Sequence, residues 1–211
     1  MSDDLANPLL DEFLRDLASG APTPGGGAVA GLCGALGAAL TSMVANLTIG
    51  KKKYAAVENE FKERLAPLET ARYKLRQLMD DDARVFAAYM AAWKLPKGDD
   101  DAKAARKEAI RLATLDASEV PLRTLEACRD LLPAIRFAAE SGNQNAVSDA
   151  GIAALLVTCG AKAAAMNVKI NLAGLKGCDY AKTKDRLDEL MAATLGEAKA
   201  LEELVDRVLS S

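Results

Sequence analysis

From Pro22 to Gly50 the chain has no charged side chain and few bulky ones, reading PTPGGGAVAGLCGALGAALTSMVANLTIG before the lysines of KKKY. No other feature constrains the fold as strongly. Along a helix, Ala and Gly let neighbouring backbones approach more closely than Leu or Phe would, so such a segment belongs at the centre of a packed bundle. Pro22, Thr23 and Pro24 stiffen the entry, while Gly25, Gly26 and Gly27 open backbone conformations closed to other residues. Gly50 reads as a helix stop with Lys51, Lys52 and Lys53 behind it. The expectation is a buried helix over about 26–49 whose N-terminus is presented by a glycine loop.

A second segment repeats this character. Residues 146 to 170 are rich in Ala, Gly, Leu and Val and uncharged from Ala150 to Ala161, with Asn145 placed to cap them. Around these two, apolar residues recur at steps of three and four. Leu9, Leu10, Phe13, Leu14 and Leu17 mark a first helix, with Asn7-Pro8 as its capping pair. A long amphipathic helix spans 54–93, with a bend expected at Pro67. Another runs from about 102 to 119, and Pro121 and Pro133 punctuate the stretch that ends near Ser141-Gly142-Asn143. Ala173 to Gly177 reads as a loop, and Leu187 through Val208 as a final amphipathic helix. No alternating strand pattern is present. The predicted architecture is all-α: a multi-helix bundle with two central small-residue helices, forming a single domain over 1–211.

A net charge of −3 argues against nucleic acid or an anionic membrane as partner. Residues 26–49 are long enough to span a bilayer, but Ala and Gly in place of Leu, Ile and Phe suit close packing in a bundle better, so no membrane partner is expected. Residues 1 to 20 hold five acidic groups and no apolar core of a signal peptide. Cys33, Cys128, Cys159 and Cys178 are far apart, without a CxxC pair, which points to reduced thiols in a cytoplasmic protein rather than disulfides or zinc.

The chain contains no histidine. Any proton transfer falls to Asp, Glu, Lys, Tyr or Cys, and no Ser-His or Cys-His nucleophile can form. The triple glycine matches neither GxGxxG nor GxxxxGK[ST]; it can expose amide N–H groups to an anion or carbonyl oxygen, or simply turn the chain into a packed helix. Asp80-Asp81-Asp82 would ordinarily be a solvated acidic patch. Asp82, however, lies on the stripe Leu75, Leu78, Asp82, Phe86, Tyr89, Trp93, which places it on the apolar face, and a carboxylate there must be paired, hydrogen-bonded or protonated. Asn143, Asn145, Ser148 and Asp149 gather at the start of the second small-residue helix, either as caps or as a hydrogen-bonding site. Asn167 and Asn171 share one face near its other end, for which side-chain-to-backbone bonding is the simpler account. Lys51 to Lys53 either complement a helix dipole or clamp the carboxylates of an anionic ligand.

Four segments, PTPGGGAVAGLCGALGAALTSMVANLTIGKKKY, DDARVFAAYMAAWKLPK, GNQNAVSDAGIAAL and AAAMNVKINL, closely resemble the cyclodeaminase/cyclohydrolase family, in its order and over nearly the whole chain. That family includes stand-alone methenyltetrahydrofolate cyclohydrolases and the deaminase domain of formiminotransferase-cyclodeaminase. The resemblance implies an all-helical homodimer or larger assembly, a folate substrate, amidine C–N chemistry, and no metal or redox cofactor. It implies Asp82 as the carboxylate facing the cationic amidine, and Asp149 and Lys52 as further catalytic groups. It also implies substrate contacts from Pro24, Gly25, Gly26 and Gly27, from Asn145 and Ser148, and from Lys51 and Lys53 toward a glutamate tail. A lone domain of this size resembles the cyclohydrolases more, with the cyclodeaminase as the alternative and a non-catalytic helical bundle as a third reading.

Overall fold

A computed structural model describes residues 8–210, which form six α-helices. The helices are α1 (Pro8–Leu17), α2 (Gly26–Thr48), α3 (Glu58–Trp93), α4 (Asp100–Ser141), α5 (Val147–Leu172) and α6 (Gly177–Leu209), with short 3-10 turns at Lys52–Tyr54 and Gln144–Ala146. No strand occurs among the described residues. The cap expected at Asn7 lies outside them.

The two small-residue helices, α2 and α5, pack antiparallel along their whole length. Gly26 lies by Asn167, Gly37 by Val157, and Thr48 by Asn143. Their backbones nearly touch: a Cβ on Gly160 would sit 2.8 Å from the Ala30 carbonyl oxygen, and one on Gly37 3.1 Å from the Ala153 carbonyl oxygen. α4 backs both helices, with α3 beside α2 and α6 beside α5. The core between these layers is filled by Leu75 and Leu78 of α3, Leu125, Leu132 and Ile135 of α4, Val157 and Val168 of α5, and Leu187 and Leu201 of α6.

Two helix starts shift, α3 to Glu58 from the expected 54 and α6 to Gly177 from the expected Leu187. Two further expectations need correction. Pro121 and Pro133 do not divide the 100–141 region; both lie inside the single helix α4. A proline cannot donate to the carbonyl four residues back, which leaves Ala117 without its helical partner. The Asn171 side chain of α5 supplies the missing donor, its Nδ2 lying 2.7 Å from the Ala117 oxygen. The cap of the second small-residue segment is also displaced. Asn143, not Asn145, accepts through its side chain, from the Asn145 N–H at 3.2 Å, and α5 begins only at Val147.

Both α2 and α5 carry apolar residues on more than one face, and α4 covers only one side. Leu36, Met43 and Leu47 of α2 and Ile152, Leu155 and Met166 of α5 stay exposed on the opposite side. By length and composition both helices could also cross a membrane.

Candidate active site

The N-terminus of α2, the C-terminal third of α3, the middle of α4 and the C-terminal turns of α5 meet around a cleft of about 390 Å³. Gly25, Gly26 and Gly27 form one wall, and Val85, Phe86 and Tyr89 an apolar wall opposite. Asp82 sits between them. A Cβ on Gly27 would run into the Asp82 carboxyl group, so a larger residue there would displace that carboxyl.

Asp82 forms no hydrogen bond or ion pair with any described residue. Its neighbours in sequence are paired: Asp80 with Arg76 at 3.2 Å, Asp81 with Arg84 and, at 3.8 Å, with Arg123. Burial alone therefore acts on the Asp82 carboxyl and pushes its pKa above the usual carboxylate range. The first N–H groups of α2 lie beside it. Gly25, the N-cap, has no side chain, so the amides of the first turn lack intrahelical partners and remain available to an oxygen in the cleft.

Thr114 and Ala117 of α4 and Asn167 and Asn171 of α5 complete the lining. Sequence reasoning left these four out of the site. The signal lay in the Asn167/Asn171 pair: with α5 antiparallel to α2, the end of α5 falls beside the glycine loop. Pro24 does not line the cleft, though it joins Thr23, which does, through a cis peptide.

The remaining candidates gather at the other end of the bundle. α2 has 23 residues, so its ends are separated by about 33 Å at 1.5 Å per residue. Lys51, Lys52 and Lys53 follow its C-terminus and are exposed. There the Asn143 N–H donates to Thr48 Oγ1 at 2.9 Å, Asn143 Nδ2 to the Leu47 oxygen at 3.1 Å, and the Gln144 N–H to the Tyr54 hydroxyl at 3.0 Å. This clasp ties the TIGKKKY segment to GNQN. Asn145 and Ser148 are exposed beside it, and Asp149 is half-buried. Within one chain, then, Lys52 and Asp149 cannot act on a group held by Asp82; the sequence put both motifs on the same helices but at opposite ends. Among the described residues no three His, Cys, Asp or Glu side chains are grouped to hold a metal ion.

The formiminotransferase-cyclodeaminase family matches residues 9–191. The chain belongs to that family. It is 45% identical to the methenyltetrahydrofolate cyclohydrolase of Methylorubrum extorquens, across 97% of both chains. It is 35% identical to the formimidoyltransferase-cyclodeaminase of Rattus norvegicus over 95% of its own length, which is 37% of that longer protein. Its fold matches the crystal structure of the formiminotetrahydrofolate cyclodeaminase of Thermotoga maritima with a TM-score of 0.85 and 32% identity, covering 95% of this chain and 96% of that one. The family membership and the all-helical fold thus agree with the expectation from the four sequence segments.

Proposed function

We propose that this protein is a methenyltetrahydrofolate cyclohydrolase, opening 5,10-methenyltetrahydrofolate to 10-formyltetrahydrofolate. The observation that carries this reading is the unpaired, half-buried Asp82 carboxylate facing the glycine wall of the cleft. A cationic amidinium offers it the compensating charge that no protein side chain supplies.

Water adds to the carbon between N5 and N10 and gives up a proton to Asp82. The protonated Asp82 passes that proton to N5. The C–N5 bond then breaks as the remaining hydroxyl proton leaves to solvent and the formyl C=O forms on N10. The N–H groups at the start of α2 can donate to that oxygen as it gains carbonyl character. No electrons are transferred and no metal or redox cofactor is needed, so one carboxylate suffices in a chain without histidine.

The relative at 45% identity over the full length favours hydrolysis, and the structural match to a cyclodeaminase supports the second reading, in which N10 closes on a formimino group and ammonia leaves. Offering both substrates in parallel separates them: decay of the methenyl chromophore marks the hydrolase, ammonia release with appearance of that chromophore the deaminase. In either case Asp82→Asn should stay folded and lose about 100-fold or more in turnover. Wild-type turnover in that variant overturns the assignment.

The reading includes a soluble, cytoplasmic homodimer. The exposed apolar stripe of α2 and α5 supports a second copy as its cover, rather than lipid, because charged Lys162 and Lys169 of α5 are also exposed. An antiparallel arrangement would set the Lys51–Lys53 end of one copy near the Asp82 end of the other, where lysines suit a glutamate tail.

A further inference from the structure

Two carboxamides line the cleft, and each is oriented by a bond to backbone. Asn171 Nδ2 donates to the Ala117 oxygen, and Asn167 Nδ2 donates to the Ala163 oxygen one turn back, at 3.0 Å. Neither Oδ1 accepts a hydrogen bond from a described residue. The Asn167 carboxamide lies across from the first turn of α2, within 3.7 Å of where a Cβ on Gly26 would stand. One of its two Nδ2 hydrogens is committed, and its acceptor side is free. With Asp82, the cleft therefore offers acceptors on the α3 and α5 sides, facing the N–H donors at the start of α2.

We propose that Asn167 determines specificity for the heterocycle, its Oδ1 accepting from the 2-amino/N3–H edge of an aminopyrimidinone ring. This rests on the folate reading above and assigns the end of the substrate that does not react. That edge carries adjacent N–H donors and needs an acceptor fixed in place. A carboxamide already held through its nitrogen presents one without further ordering. Asn171 acts as a positioning residue: its bond to Ala117 keeps the last turn of α5 against α4, and with it the neighbouring Asn167.

The test compares Asn167→Leu with wild type, using 5,10-methenyltetrahydrofolate and its analogue lacking the 2-amino group. The expected result is a KM raised about 10-fold for the natural substrate with kcat within about threefold, since a lost neutral hydrogen bond that strands its partner costs about this much. Removing the 2-amino group should cost wild type a similar factor and the variant nothing, a coupling that a merely structural role would not produce. Should Asn167→Leu fail to fold, Asn167→Ala takes its place in the same comparison. If the analogue loses equally in both proteins, or if the variant loses kcat with KM unchanged, the inference is overturned. Failure of the folate reading looks different: the wild-type protein would then turn over neither folate substrate.

Discussion

Gly27 lacks a side chain where the Asp82 carboxyl group needs the space. Gly27→Ala should leave the helical circular dichroism intact but displace that carboxylate, lowering kcat/KM by about 10-fold or more. Asp82 also makes a prediction about pH. Burial raises its folded-state pKa, so protonation favours the folded chain. That contribution is fully present below the unfolded pKa and is lost as pH rises through the folded value. Asp82→Asn should therefore melt above wild type at neutral pH, and the difference should vanish near about pH 3, where wild-type Asp82 is protonated in both states. Activity runs the opposite way, because the base must be ionised: kcat/KM should rise with pH through a midpoint above the ordinary aspartate value. The kcat profile should have its midpoint lower, since bound substrate brings a positive charge. The position of Asp82 could be read in the sequence, because steps of three and four fix a helix face. The place of Asn167 could not, because it depends on how two helices distant in sequence pair.

At the scale of the element, another helix supplies the donor that Pro121 removes from α4. Asn171→Ala should destabilise the fold by about 1–2 kcal/mol by stranding a polar carbonyl. In a Pro121→Ala background a backbone N–H returns to Ala117, and the same substitution should cost clearly less; chemical denaturation of the four proteins measures the coupling. Additive costs would show that Asn171 does not substitute for the lost bond. Sequence periodicity found every described helix, since each apolar face has a period that the chain itself displays. It missed the continuity of α4, because the remedy for Pro121 lies 50 residues downstream, at Asn171. It chose Asn145 as a cap for a local reason, while the tertiary clasp to Thr48 selected Asn143.

For the whole molecule, the two most distinctive sequence segments lie at opposite ends of α2. The chain order shows the helix between them but not that its length keeps Lys52 and Asp149 apart from Asp82 within one chain. If a second copy covers the apolar face, Leu155→Lys should convert the dimer to a monomer in analytical ultracentrifugation and lower turnover about 10-fold or more. Leu155 is 57% exposed in the single chain, so the substitution costs the isolated fold little. A wild-type protein that sediments as a monomer at full activity would exclude that assembly. The seam between α2 and α5 has a further consequence. Around Gly34 and Gly160 the gap is filled by the Cys128 sulfur, 2.8 and 3.1 Å from where added methyl groups would stand. One extra carbon at either position would act as a wedge. Because the helices are stiff rods and their other ends are tied together at Thr48 and Asn143, the splay would open toward the glycine loop, where the carboxylate must meet its substrate.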